Sequence, residues 1–207
     1  MRDVLTPRKI RLAEDHLRSN DPVMASIIKE IGRCGLVRSK RADPFIAIVE
    51  AIIWQQLSGK AARTIYERFL KIFPNGRPTP ATILATPDEA MRAAGLSRGK
   101  VAYLRDLSTK VLDGTVHLES LETMANDDVV AAMTKVKGIG QWSAEMFLMS
   151  RLQRADVLPV GDLGIVKAIQ RHYRLRKTPT PDRMLKIAES WRPYRSVASW
   201  YLWASLD

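Results

Sequence analysis

Val136-Lys-Gly-Ile-Gly-Gln-Trp-Ser-Ala-Glu145 lies between two stretches of helical periodicity, one ending near Lys135 and one starting near Gln141. The Gly-Ile-Gly turn allows positive φ and close backbone approach. Amides at Gly138 and Gly140, together with the N-terminus of the next helix, can then point at one phosphate. Lys135 and Lys137 flank the turn. Apolar-Lys-Gly-apolar-Gly between two helices is the pattern of a helix-hairpin-helix, which grips the DNA backbone without reading bases. The plainer reading is an ordinary helix–helix turn with a glycine C-cap. The charge favours the first: 33 Lys and Arg against 22 Asp and Glu leave +11, with a pI near 10.0. A polyanion is the first partner to test, nucleic acid ahead of membrane.

Working outward from the turn, helix starts recur as a capping residue followed by proline: Asp21-Pro22, Asp43-Pro44, Thr79-Pro80, Thr86-Pro87 and Thr180-Pro181. The cap oxygen satisfies an orphan N–H, and proline gives up a donor that had no partner. Helical spacing predicts helices at 22–32, 44–57, 60–73, 80–85, 87–94, 98–113, 127–135, 141–152, 164–173, 181–191 and 194–206. Strand-like alternation is nearly absent, its best candidate being the short stretch Thr115 to Leu118. The expected fold is all-α, two helical lobes with a helix-hairpin-helix motif and a cleft between the lobes. Residues 44–154 form a central lobe that includes the hairpin (about 127–152). Residues 1–43 plus 155–207 form the second.

Apolar residues at 46% and charged ones at 27% fit a globular chain with a core. The single cysteine, Cys34, excludes an intramolecular disulfide framework, a four-cysteine zinc site and a cysteine-ligated iron–sulfur cluster. His16, His117 and His172 have no ligand spacing with one another or with Cys34, so no side-chain metal site is expected. The N-terminus lacks a secretory pattern, and Phe45 to Trp54, broken by Glu50, is too short to span a bilayer. The expectation is an intracellular protein with no membrane partner, cytoplasmic or nucleoid-associated in a bacterium and nuclear in a eukaryote. A monomer is expected.

About twenty residues beyond the hairpin, Asp162 stands in Leu158-Pro-Val-Gly-Asp-Leu-Gly-Ile-Val-Lys-Ala168. The bland reading is a cap for the helix that follows. The sharper one is a carboxylate at the mouth of a pocket facing the phosphate grip. The two are compatible, since a helix N-terminus favours a negative charge, and cleavage through an oxocarbenium-like transition state needs one near the sugar. Asp156 is the nearest competing carboxylate.

Lys-Gly-Ile-Gly followed by Pro-Val-Gly-Asp resembles the helix-hairpin-helix-Gly/Pro-Asp superfamily of base-excision DNA glycosylases. Three further segments are similar to its alkylpurine branch, DNA-3-methyladenine glycosylase II: Ala51-Ile-Ile-Trp-Gln-Gln-Leu-Ser58, Gly138-Ile-Gly-Gln-Trp-Ser-Ala144, and Trp191-Arg-Pro-Tyr-Arg-Ser196 with Trp200 to Trp203. The likeness runs from about Pro44 to the C-terminus in the same order. It implies that Asp162 is the catalytic carboxylate. Two places after the hairpin's second glycine, the bifunctional branch carries a lysine that attacks the sugar. Trp142 stands there in this chain. The resemblance therefore implies a monofunctional enzyme that hydrolyses the N-glycosidic bond of alkylated purines in double-stranded DNA, 3-methyladenine first and 7-methylguanine next, and leaves an abasic site.

The resemblance also implies a base pocket lined by Trp142 and Trp203, with Met146 where the family has a tyrosine. Trp54 borders the pocket or else packs in the core. An indole face suits a cationic alkylpurine, a contact of about 0.5–2 kcal/mol. The base has to be flipped out and the gap filled. The likeness assigns that task to Gln56, with Leu57 beside it, although Gln55 and Gln56 also read as polar residues at a helix end. Lys135, Lys137, Gly138, Gly140, Ser58 and Lys60 are expected at phosphates, with Arg63 nearby. No cofactor is expected beyond a Na+ or K+ on the backbone carbonyls of Thr134, Val136 and Ile139. Arg192 and Arg195 contact DNA or pair with carboxylates between the lobes, the pairing being preferred for Arg195.

Two departures from the family are visible. Only about 43 residues precede Asp43-Pro44, so the β-rich N-terminal domain of longer relatives is expected to be absent, with the loop at 35–41 replacing any pocket wall it supplied. The other departure is Met146. A different class of protein also fits the motifs, a non-catalytic helix-hairpin-helix protein that binds DNA or a lesion without cutting.

Overall fold

The structure, a computed structural model, describes residues 4–36 and 43–206. Twelve α-helices follow one another among them: α1 (Pro7–Asn20), α2 (Pro22–Ile31), α3 (Pro44–Trp54), α4 (Gly59–Leu70), α5 (Pro80–Ala85), α6 (Asp88–Ala93), α7 (Arg98–Leu112), α8 (Asn126–Met133), α9 (Gln141–Ser150), α10 (Leu163–His172), α11 (Pro181–Ile187) and α12 (Arg195–Ala204). Short 3-10 turns occupy Pro74–Gly76, Leu118–Ser120 and Ala188–Trp191. No strand occurs among the described residues, and Thr115 to Leu118 forms none. Extended pairing is limited to an isolated bridge between Val4 and Arg154. The fold is all-α, as the spacing predicts, and no described helix is long and apolar enough to cross a membrane.

Four of the five cap–proline pairs start helices as expected. Asp21 accepts N–H bonds from Val23 and Met24, and Asp43 from Phe45 and Ile46. Thr79 forms a reciprocal box with Thr82, and Thr180 accepts from Arg183. The fifth pair is different. Pro87 itself is the N-cap of α6, and Thr86 closes α5 by donating its hydroxyl to the Thr82 carbonyl at 2.8 Å. α1 is absent from the sequence reading although Thr6-Pro7 carries the same signature, with Thr6 Oγ1 accepting from Lys9 N–H at 3.2 Å. Its apolar stripe is thin, Ala13 and Leu17 being buried among charged neighbours, so periodicity alone passes over it.

The chain divides into two compact units, Met1–Lys40 with Glu145–Asp207, and Arg41–Ala144. The division falls inside α9, ten residues before the expected boundary. Residues after α9 fold back on their own unit: Arg154 N–H donates to Leu148 O, Leu5 N–H to Gln153 O, and Ser196 Oγ to Arg154 O. In this first unit Leu17, Met24, Ile28, Ile165, Ala168, Val197 and Leu202 form a closed core with Trp191 and Tyr201. Each large side chain removed from water contributes about 1.5–3 kcal/mol. Its polar hub is Asp21. Beyond capping α2, its second oxygen accepts Tyr173 Oη–H at 2.5 Å and Trp191 Nε1–H at 2.8 Å. Burial, with Asp21 beside it, drives the Tyr173 hydroxyl far above its ordinary range.

In the second unit α3 is apolar except for Glu50 and buries Phe45, Ala47, Ile48, Val49, Ile52 and Ile53, a pattern that suits a central helix. α4 and α7 pack against it. α3 ends at Trp54 rather than at 57. Gln55 turns extended, and Gln56 takes φ +56°.

Candidate active site

Asp162 is the N-cap of α10, as the bland reading has it. Its Oδ1 accepts the Ile165 N–H at 2.9 Å and, on the same oxygen, the Trp203 Nε1–H at 2.9 Å. Two N–H donors and a helix N-terminus complement a negative charge at that point. Trp203, half-buried on α12, thus bonds the carboxylate through the edge of its ring, which leaves the indole faces for the pocket-lining role that the resemblance implies.

Gly164 was not among the candidate residues, yet it permits this arrangement. A Cβ there would stand 3.0 Å from Asp162 Oδ1 and 3.1 Å from Trp203 Cδ1. The second glycine of Gly-Asp-Leu-Gly is the signal that could have found it. Alanine normally stabilises a helix over glycine by about 0.5–1 kcal/mol. Here the added methyl requires the Asp162 carboxylate and the Trp203 ring to shift by a few tenths of an ångström, which disturbs the bond between them. Gly164→Ala is expected to leave the melting temperature within a few degrees of wild type and to slow catalysis about tenfold or more, read by differential scanning fluorimetry beside a single-turnover assay. Leu163, between Gly164 and Asp162, is 73% exposed and offers an apolar surface next to the carboxylate.

Asp156 is committed elsewhere. Arg195, with its side chain 12% exposed, places Nε 2.5 Å from Asp156 Oδ1 and Nη2 2.9 Å from Oδ2, while Arg192 Nη1 lies 2.9 Å from Oδ2. Arg195 therefore pairs with a carboxylate as preferred, but inside one unit rather than between two. Of the C-terminal tryptophans, Trp191 is core, Trp200 meets Tyr201 edge-on and Trp203 serves Asp162. Cys34 is also structural: its N–H donates to the buried Glu14 at 2.9 Å, and burial pushes the thiol up to about 12, well away from a reactive thiolate. Among the described residues no group of three His, Cys, Asp or Glu could hold a metal ion.

In the second unit α8 ends at Met133, and the turn at 134–140 delivers the chain to α9 at Gln141. Of the two hairpin glycines, which the sequence reading expects to allow positive φ and close approach, Gly138 takes positive φ, +78°, and Gly140 does not. A Cβ on Gly138 would lie 2.2 Å from the Tyr103 ring, whereas one on Gly140 would meet nothing within 4 Å. Gly138 is required by packing from within. Gly140 leaves open space facing outward, where a phosphate can approach the backbone. Asp106 Oδ2 accepts the Lys137 N–H at 2.8 Å and Lys110 Nζ at 2.7 Å, and Lys110 Nζ also donates to Lys135 O at 2.5 Å. Burial would raise the Asp106 carboxyl, but the bonds from Lys110 and Lys137 and their charges outweigh it and hold the group below its usual range. The Lys135 and Lys137 side chains are exposed.

The turn after α3 separates its two glutamines. Gln55 Nε2 donates to Gly138 O at 2.9 Å, tying the turn to the hairpin, while Gln56 is exposed. Ser58 is the N-cap of α4 without making a side-chain cap bond, and Ser58, Lys60 and Arg63 are all exposed. Trp54 is half-buried. Its indole N–H is inaccessible and finds no acceptor among the described residues. Trp142, 49% exposed, is the second residue of α9, with half-buried Met146 one turn on along the same helix face. The pocket wall expected at 35–41 lies from 37 onward outside the described residues.

A profile of the HhH-GPD superfamily of base excision DNA repair proteins matches residues 49–193. DNA-3-methyladenine glycosylase 1 of Schizosaccharomyces pombe is 37% identical over 194 residues, 92% of this chain and 85% of that protein. The solved structure of the S. pombe 3-methyladenine DNA glycosylase Mag1 in complex with abasic DNA superposes with a TM-score of 0.79 at 36% identity, covering 93% of this chain and 95% of that one. A DNA-3-methyladenine glycosidase structure from Bacillus halodurans gives 0.83 at 33% identity, covering 93% and 88%.

Proposed function

The chain belongs to the HhH-GPD superfamily of base excision DNA repair proteins, and on that premise we propose that it is a monofunctional glycosylase that removes alkylated purines from double-stranded DNA, 3-methyladenine foremost. The observation that carries this is Asp162, held on one oxygen by Trp203 and Ile165 at the start of α10, in a chain whose hairpin has Trp142 at the lyase position.

Alkylation at a ring nitrogen leaves the purine cationic, so the base departs readily and little general-acid help is needed. Asp162 stabilises the positive charge that develops on the sugar and orients the attacking water. Water supplies the new C1′–O bond as the C1′–N bond breaks, the electron pair leaves with the base, which departs neutral, and the proton shed by the water passes to Asp162 and on to solvent. Trp142 offers an indole face to the flipped cation, with Trp203 as a second pocket tryptophan, Met146 beside Trp142 and Trp54 at the border. Gln56, with Leu57, fills the vacated stack. Gly138, Gly140, Lys135 and Lys137 at the hairpin, with Ser58 and Lys60 at the start of α4, hold phosphates.

The hairpin carbonyls of Thr134, Val136 and Ile139 are hard oxygen donors of the kind an alkali cation takes. Val136 O also accepts the Ile139 N–H and keeps a second lone pair, so by donor chemistry the three would hold Na+ or K+, as the resemblance implies. The ion would neutralise a bound phosphate and takes no part in bond cleavage. The protein works as a monomer in the compartment that holds the DNA.

Chromatography of the bases set free from dimethyl-sulfate-treated duplex DNA tests the proposal. Release of 3-methyladenine at a rate proportional to enzyme is expected. DNA binding with no base released would identify a recognition protein instead.

A further inference from the structure

Gln56 is a non-glycine residue at φ +56°, a left-handed conformation that persists only where the surroundings enforce it. The enforcement comes from α7. Lys100, in its first turn, donates Nζ–H bonds to Ile53 O at 2.7 Å and Gln55 O at 2.9 Å. A helix end leaves such carbonyls without partners, and an ammonium there also meets the negative end of the helix dipole. The same face of α7 continues with Tyr103 packed on Gly138, Asp106 on the Lys137 N–H and Lys110 on Lys135 O. Positions 100, 103, 106 and 110 form one stripe along the helix. The Gln55 side chain closes the loop by bonding Gly138 O.

We propose that Lys100 is a positioning residue for the wedge: it clamps the C-terminal carbonyls of α3 so that Gln56 projects in its left-handed form, in fixed register with the hairpin that α7 also holds. The inference rests on the reading of Gln56 as the group that fills the stack. Without the ammonium, the Gln55–Gln56 peptide relaxes toward ordinary φ and the wedge is misdirected, while the phosphate grip and Asp162 stay as they are.

The test uses single-turnover excision from two duplexes, one with an alkylated purine in a good pair and one with the same lesion mismatched, where flipping costs least. Lys100→Met is expected to slow excision about tenfold or more on the paired lesion and to come within about twofold of wild type on the mismatch. Gln56→Ala should show the same split. The double variant should be no slower than Gln56→Ala alone, since both changes remove one action. Gln55→Met, which cuts the link to Gly138 from the other side, should repeat the split if Lys100→Met proves too unstable to assay. An equal loss on both duplexes, or full additivity with Gln56→Ala, overturns the inference. Failure of the wild-type protein to excise from either duplex would instead overturn the glycosylase reading on which it rests.

Discussion

Asp162→Asn is expected to fold, to bind DNA and to lose at least about a hundredfold in single-turnover excision, the scale seen when one preorganised electrostatic contact is removed from a transition state. The substitution separates the two roles of this residue. Asparagine is as good an N-cap as aspartate, and its oxygen can still accept the Ile165 and Trp203 N–H groups that Asp162 Oδ1 accepts at 2.9 Å each. The melting temperature should therefore stay within a few degrees of wild type. DNA affinity should hold or rise, because a negative charge near phosphates has gone. What is lost is the charge that balances the developing sugar cation. A variant that excises at the wild-type rate would reduce Asp162 to a helix cap.

The largest effect on stability is expected at the hairpin, where the two glycines should behave oppositely. Gly138→Ala places a methyl 2.2 Å from the Tyr103 ring at a backbone φ of +78°. Overpacking and left-handed strain together cost about 3 kcal/mol, a fall of roughly 10 °C in melting temperature for a chain of this size. Gly140→Ala meets nothing within 4 Å and should melt like the wild type, yet bind duplex DNA several-fold more weakly, its methyl occupying the space a phosphate needs. Thermal melts beside fluorescence-anisotropy titrations check both. Equal melting of the two variants would contradict the packing account of Gly138, and equal DNA affinity of Gly140→Ala and wild type would contradict the phosphate account of Gly140.

How far these features could be read in advance depended on the range of the interactions. The all-α class and most helix starts are local, written as Asp-Pro or Thr-Pro before an apolar stripe, and they were legible. α1 was not, because its stripe is thin and its cap pair Thr6-Pro7 stood near the chain's start. Asp162 was legible as a cap, because an aspartate just before a helical apolar stripe is a local signal, and the resemblance singled it out as the charge that the Asp162→Asn variant tests. The partner of Asp162 was not, because Trp203 lies 41 residues on and only tertiary packing brings the indole to the carboxylate. The need for Gly164 appears only once that pair is in place. The same limit hid the commitment of Asp156 to Arg192 and Arg195, and the bracket of Lys100, Tyr103, Asp106 and Lys110. Four residues along one face of α7 read as ordinary surface positions until the hairpin and the end of α3 pack against them. Residue type alone did not separate Gln55 from Gln56, and only the resemblance favoured Gln56. The structure separates them by giving one a backbone acceptor and leaving the other exposed.

The central claim, hydrolysis by water with no enzyme amine, is tested most directly on an end-labelled duplex carrying a single alkylated purine, with free base and strand breaks scored in the same samples before and after alkali. One free base per turnover, intact strands until alkali is added, and no protein–DNA adduct after borohydride are expected. Breaks without alkali together with a trapped adduct would contradict it and call for an amine nucleophile that Trp142 does not provide.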